Sequence, residues 1–561
     1  MAARAIGTLL ALAALAGGRA GAGEAAPEPA PPAPSAGCQV LDLGLAGLGS
    51  WQEELARTAG LTGNAAVRPG LLRRASGARP LSLCLGPVPE REAVADPAPE
   101  EVPRWDLVPP TSFSTFHYNW SDDRNDGALF GGKGLSTQVS TGLRLRWWRL
   151  TAQAAPSLAW QQNRFFVVPP APAPWSPYAN PFNVDIIDLP LRMGPGSFWT
   201  PDPGQSFVRI DGGAFAAGIS TENLWWGPGL RNSLLLTNSA PGFPHLFVGT
   251  TRPVDVYLGW LEMDAVWGQV RDSKWLHADG HVERRLITAT GLTFAPRFEP
   301  NLTLGMGRVV VFPETTVNFD RAISALLPPV LQLADLRFRS HDVDNQVSVI
   351  FLRWAFPRVQ FELYGEWGRD DWPAGVLAGI QEPGYSQAFA FGLGKLFPSR
   401  HGWFRFRAEM THTFEMPPVH PEHQTATFYT HSDGTGMTNA GQMLGAGLGP
   451  QGDTQYVAVD WFHPAGRLGL FVERVLRNER YYYDVMTSIR RGIRHDVAMT
   501  YGASATWSRG EWDVSAEAGF TDRFNANFSN GHTGTDARLT VRWWPGRRDA
   551  PVLPPPSPAA R

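Results

Sequence analysis

Past its first residues the chain has no uninterrupted apolar run long enough to cross a membrane as a helix, which removes helical spans from consideration. Cysteine is nearly absent: Cys38 and Cys84 are the only two, and they flank one small N-terminal segment. A scaffold knitted by many disulfides is therefore excluded, while a single bridge in an oxidising compartment is not. Neither sign of charge is in surplus, with 49 Lys and Arg against 52 Asp and Glu, so nucleic acid is not an expected partner. Catalytic signatures are missing too. No HExxH or GxSxG occurs, and Ser206 in Gly204-Gln205-Ser206 stands outside any recognised nucleophile pattern, so no enzyme and no cofactor are expected.

What is abundant is glycine, tryptophan and phenylalanine, at 59, 22 and 31 of 561 residues. Indole rings suit both interfaces of a membrane, and a transmembrane β-barrel uses them there. Residues 1–22 read as a secretory signal, with Arg4 as the positive region, Ile6 to Ala16 as the short apolar stretch and Ala20-Gly21-Ala22 as the cleavage site. Ala36-Gly37-Cys38 falls short of a lipoprotein signal because Ser35 stands where an aliphatic residue belongs. Residues 23–36 are a Pro/Ala-rich linker, and 37–104 form a small, partly helical segment. Within it Ser50 and Glu53 make a capping-box pattern, Trp51 and Leu55 share a face, and Gly60 can end the helix. A piece this small builds no independent core and is read as a periplasmic appendage.

From about residue 111 the hydrophobic period becomes two. Phe404-Arg405-Phe406-Arg407-Ala408-Glu409-Met410-Thr411 alternates apolar with polar, as do Trp512 to Ala518, Phe361 to Trp367 and Arg538 to Trp543. The connections alternate as well. Short turns at Pro296 to Pro300, Phe356 to Arg358, Pro398 to Gly402, His463 to Gly466 and Ser508 to Gly510 are separated by long loops, including Pro313 to Asp344, Glu415 to Asp453 and Asn478 to His495. That alternation defines an outer-membrane barrel over residues 105–545, with an even count of roughly sixteen to twenty strands. Trp543-Trp544 supply the aromatic end of the last strand, and 546–561 read as a disordered extension.

Several motifs resolve to bland readings. Gly127 to Lys133 nearly spells a phosphate loop, but Gly134 replaces the magnesium-holding Ser or Thr, leaving a turn into a strand. Asp122, Asp123 and Asp126 lack the calcium spacing because Arg124 and Lys133 occupy ligand places, so a solvated loop is expected. His412, His420, His423 and His431 with Glu415 and Glu422 match no zinc pattern. Arg144, Arg146, Arg405, Arg407, Arg538 and Arg542 alternate with apolar residues, so they project into the lumen. There they would pair with carboxylates such as Glu366, Glu409 and Glu517, or else present a surface for anionic sugars.

The most unusual stretch is Glu222-Asn223-Leu224-Trp225-Trp226-Gly227-Pro228-Gly229-Leu230-Arg231-Asn232, continuing to Pro241-Gly242-Phe243-Pro244-His245. Paired tryptophans running into Gly-Pro-Gly put a large aromatic payload in a turn, which marks either a site or a plug. Here the chain resembles the capsule assembly Wzi family. The resemblance is carried by Asn125 to Leu129 with Gly132-Lys133-Gly134, by Ile187-Asp188-Leu189-Pro190 with Arg192 and Gly194, and by Gly204-Gln205-Ser206 with Arg209. Ser220 to Gly229, Arg231-Asn232, Ala240 to His245, Gly249-Thr250, Arg252-Pro253 and Leu261-Glu262 continue it. It implies an all-β fold: a large transmembrane antiparallel β-barrel of about eighteen strands with a small N-terminal periplasmic helical segment. It also implies a lectin-like outer-membrane protein that attaches or helps assemble capsular or extracellular polysaccharide. A porin or polysaccharide export channel is the alternative. Polysaccharide and outer-membrane lipid are the implied partners of a monomer. Trp225, Trp226, Arg231, Asn232 and His245 are the candidate residues, as sugar contacts or as lumen constrictors; no metal is assigned.

Overall fold

The computed structural model describes residues 38–63, 70–78, 80–84, 100–122, 124–314, 345–370, 386–414, 428–431, 436–486, 494–554 and 556. The signal and linker readings at 1–36, and His420, His423, Glu415 and Glu422, lie outside these residues.

Eighteen antiparallel strands close into one barrel, three of them each broken into two segments near residues 155, 203 and 252. The barrel's first strand, Glu100–His117, pairs with its last, His532–Trp543, and this seam leaves the barrel sheet without a free edge. Alternation sorts the side chains as the period of two requires. In Gly466–Arg477, Leu468, Leu470 and Val472 face outward and are exposed, while Arg467, Phe471 and Glu473 face in and are buried. The short connections gather at one end, including the 3₁₀ turn Pro357–Val359 and the His463–Gly466 hairpin. The long ones gather at the other, which is the outer end in barrels of this kind.

Two expectations about the chain ends are overturned. The N-terminal segment is not an appendage: its helix, Trp51–Gly60, lies inside the barrel at the short-turn end. Ser50 caps the helix by accepting from Glu53 N at 3.3 Å, while the Glu53 side chain reaches one residue beyond the cap and accepts from Gly49 N at 2.6 Å. Its apolar face (Trp51, Leu55, Ala56, Ala59) packs on inward residues of four strands, among them Trp403 and Phe462. The physical reason is burial: the segment cannot cover that face itself, and the lumen can. The antiparallel strands Cys38–Asp42 and Pro80–Cys84 complete the cap, with Cys38 directly opposite Cys84.

The C-terminal residues 546–554 are likewise ordered, contrary to the disordered extension expected. Arg547 pairs with Asp513 at 2.8 Å, Trp403 Nε1 donates to Pro554 O at 2.7 Å, and Val552 N donates to Gln39 Oε1 at 2.9 Å. Leu553 joins the apolar cluster around the helix, so the tail crosses the barrel end and holds the cap in place.

Candidate functional site

Between the strands Phe215–Ser220 and His245–Thr250 the chain does not form an outer loop. It turns back into the lumen. Glu222 anchors the turn, accepting from Ser220 Oγ at 2.7 Å and from Ser76 N at 2.7 Å. Leu224–Trp226 then pairs antiparallel with Leu72–Arg74 of the N-terminal segment, so the two chain regions share a small sheet inside the barrel. Trp226 N donates to Leu236 O at 3.0 Å and Gly227 N to Leu71 O at 2.9 Å, which makes 224–236 a hairpin.

Two wall carboxylates hold the tip. Glu366 accepts from Gly229 N at 3.0 Å, Leu234 N at 2.7 Å and Ser233 Oγ at 3.2 Å. Glu409 accepts from three consecutive amides, Leu230, Arg231 and Asn232, at 2.8–2.9 Å, and Tyr364 Oη donates to it at 2.7 Å. Successive N–H groups curled round one carboxylate form an anion nest, here filled by the protein's own side chain. The Gly-Pro-Gly motif follows from this crowding. Gly227 has φ +130°, and a Cβ there would overlap Ser233 Oγ and Glu366; at Gly229 it would overlap Asn232 O.

Trp225, Trp226, Arg231 and Asn232 therefore sit together in the lumen, while His245 opens the wall strand His245–Thr250. Trp226 is fully buried and Trp225 nearly so, its Nε1 donating to Gly229 O at 3.2 Å with the Arg73 guanidinium 4.9 Å from its ring centre. Arg231 Nη2 donates to Glu473 at 2.7 Å and its guanidinium lies 4.4 Å from the Tyr456 ring. Burial works against that charge, but Glu473 outweighs it and raises the Arg231 pKa. Asn232 is held by its amide, and buried His245 keeps Nδ1 2.7 Å from Phe243 O.

Most of the lumen arginines find carboxylates, though not those expected, while Arg542 donates to Thr111 Oγ1 and Gln52 Oε1, both at 3.0 Å. Arg405 and Arg407 share Asp460 and Glu54, Arg467 bonds Glu54 at 2.7 Å, and Arg57 bridges Glu362 and Pro228 O. Three guanidiniums around Glu54 overcome the cost of burying it and hold its pKa far below the usual range. Glu366 and Glu409 serve backbone amides instead, a role that alternation cannot reveal. Asp122 and Asp126 are not solvated either: Asp122 pairs with Arg124 and Arg477, and Asp126 with Arg538.

Above the hairpin, long-loop segments fold inward. Tyr429 Oη donates to Leu234 O at 2.6 Å, Thr237 N to Leu444 O at 2.8 Å, and Gln451 Nε2 to Asn183 at 2.7 Å. Trp226, Leu234, Leu235, Phe243, Tyr429 and Leu444 belong to one apolar core inside the barrel. A cavity of about 230 Å³ lies between hairpin and helix, lined by Arg57, Arg73, Arg231, Arg353, Arg407 and Arg467 among others.

One feature escaped the sequence reading. At the outer end a cleft of about 550 Å³ is lined by Tyr482, Arg494, His495, Val497, Phe524, Asn525 and Gly531. The Tyr482 ring lies 3.9 Å from His495, whose Nδ1 is 2.8 Å from Glu479. The run Tyr481-Tyr482-Tyr483 in a long loop was the signal available for it.

A closed barrel with an apolar outer wall and a lumen filled by its own helix and hairpin is an outer-membrane β-barrel of the plugged kind. Its family follows from comparison: the family model "Capsule assembly protein Wzi" matches residues 124–538, and the chain belongs to that family. Among solved structures it is similar to Wzi of Escherichia coli, described as an outer membrane protein involved in group 1 capsule assembly and a carbohydrate binding β-barrel. That likeness has a TM-score of 0.50 at 13% identity, covering 78% of this chain and 84% of that one. OccK5 (OpdH) of Pseudomonas aeruginosa matches at TM-score 0.39 and 10% identity, covering 80% and 100%. No curated protein matches in sequence.

Proposed function

We propose that this protein is a surface lectin of the outer membrane, retaining capsular or extracellular polysaccharide on its outer loops while the barrel acts as an anchor. The observation that carries this reading is the filled lumen: a hairpin clamped by Glu366 and Glu409 stands above a helix locked by Arg405, Arg407 and Arg467. Such a filling has the bonding of a structural core, and it favours anchoring over transport. In this reading Trp225, Trp226, Arg231, Asn232 and His245 constrict the lumen and do not touch sugar. Sugar recognition falls to the outer cleft, where the Tyr482 face stacks on a ring and Arg494, His495 and Asn525 take hydroxyls or carboxylates. The E. coli relative's description as a carbohydrate binding barrel supports the lectin reading.

The test is retention. Purified protein should bind its host's surface polysaccharide, and deleting the gene should release that polysaccharide from cells. Tyr482→Ala with His495→Ala should cut binding at least tenfold while the barrel keeps its heat-resistant migration in electrophoresis. Unchanged affinity in that variant would move the site elsewhere, and absence of any binding by the intact protein would end the lectin reading.

A further inference from the structure

The outer connection between Gly259–Arg271 and Arg284–Pro296 carries a group of side chains that neither the plug nor the aromatic cleft uses. His277, His281 and Glu283 each offer one ligand atom, and these atoms all lie within 4.8 Å of one another. A tetrahedral zinc site with bonds of about 2.0–2.1 Å needs ligand atoms about 3.4 Å apart, so closing this set takes side-chain movements of about an ångström.

The orientation of His281 is that of a prepared ligand. Its Nδ1 lies 2.6 Å from Asp279 Oδ1, and its Nε2 lies 3.6 Å from Glu283 Oε1. A carboxylate receiving the Nδ1 proton fixes the tautomer that turns the Nε2 lone pair outward. Either a proton on Nε2 or a metal cation between the two can hold that nitrogen and the Glu283 oxygen together. The His277 ring stacks on His281 with centres 3.8 Å apart and planes 18° apart. That contact fixes the two rings side by side in one place.

The backbone beneath is held in register. Ser176 N donates to Leu276 O at 2.9 Å, Ala278 N to Pro174 O at 3.3 Å and Gly280 N to His277 O at 3.1 Å, while the Trp175 ring covers His277 at 5.4 Å. The loop thus presents His277 and His281 from a fixed frame.

We propose that His277, His281 and Glu283 bind one divalent ion of the zinc class on the outer surface, with Asp279 as a positioning residue. Two nitrogens and one carboxylate suit Zn²⁺, Ni²⁺ or Cu²⁺ and not Mg²⁺ or Ca²⁺, which take oxygen sets. Three protein ligands leave a fourth position for water or a ligand oxygen. The assignment stands apart from the lectin reading, since it concerns the ion alone.

The experiment uses full-length, tag-free protein in detergent, stripped with a chelator and titrated with Zn²⁺ by calorimetry and with Co²⁺ by absorption. One equivalent should bind, with Co²⁺ giving the strong visible bands of four-coordination, and millimolar Mg²⁺ or Ca²⁺ should not compete. The pair His277→Ala and His281→Ala should abolish that equivalent while heat-resistant migration shows an intact barrel. Asp279→Asn should weaken binding about 10–100-fold with the Co²⁺ bands kept, the signature of positioning and not of ligation. No stoichiometric binding by the intact protein, or binding that survives in the double variant, overturns the proposal. In the first case the cluster is an ion pair of protonated His281 with its two carboxylates.

Discussion

Glu409 does at a single side chain what a loop-closing disulfide would do elsewhere: it fastens a buried hairpin to the wall through hydrogen bonds accepted from three backbone amides, and takes a fourth from a tyrosine hydroxyl. Glu409→Gln keeps the shape but removes the charge and aims amide hydrogens at amide hydrogens. With charged hydrogen bonds worth about 1.5–3 kcal/mol each, loss of more than one should lower stability by roughly 3–5 kcal/mol, seen as a lower temperature for loss of the heat-resistant band. Asp188 is a second test at this scale. It lies in an outer loop, accepting from Ser273 N and from Ser273 Oγ at 2.8 Å, and burial together with nearby Asp272 pushes its pKa up to about 7. A carboxyl whose folded pKa is raised costs nothing while protonated in both states. Its penalty grows as pH rises from the unfolded value of about 4 and is complete above 7. Amide exchange around Ser273, corrected for intrinsic rate, should therefore show tighter protection at pH 5.5 than at pH 8, and Asp188→Asn should flatten that difference. Residue types in the hairpin were legible from sequence, since Gly-Pro-Gly announced a turn. Their partners were not, because Glu366 and Glu409 lie more than a hundred residues away on strands whose alternation says only which way they point.

Among elements, the strands were the easiest to read and the terminal pieces the hardest. A period of two with alternating short and long connections is a local pattern, and local patterns survive in sequence. Whether the helix Trp51–Gly60 hangs below the barrel or fills it depends on a match between its apolar face and Trp403, Phe462 and Ala355, which no window of sequence contains. The same holds for the tail, whose proline-rich composition imitates disorder while Leu553 is buried. The register of the N-terminal ladder gives a further prediction. Cys38 and Cys84 face each other across antiparallel strands, a spacing of about 4.5–5.5 Å between Cα atoms that a disulfide can bridge. Peptide mapping of protein purified without reductant should recover the two cysteines cross-linked. Free thiols at both positions would contradict it.

For the whole molecule, hairpin and helix act as two stoppers in series. Removing residues 224–236 alone should leave the helix and its arginines across the short-turn end, so planar-bilayer recordings should stay nearly silent. Removing both the hairpin and residues 38–84 should give a steady conductance. A large open current from the intact protein would contradict the anchor reading and return the export-channel alternative. Fold class, outer-membrane location and family were all legible in the chain, because barrel patterning and the Wzi-like motifs extend over most of it. The filled interior was not, being a property of how distant segments meet.

The seam between Glu100–His117 and His532–Trp543 imposes an order of events during biogenesis. The helix precedes the first strand, the tail that covers it follows the last, and the hairpin must meet Leu72–Arg74 within the enclosed space. Once the seam is zipped, a ten-residue helix and a tryptophan pair can reach the lumen only through the barrel's ends. Rolling the wall up around its contents avoids that passage, with Glu366, Glu409 and the Glu54 arginines serving as handholds while the sheet is still open.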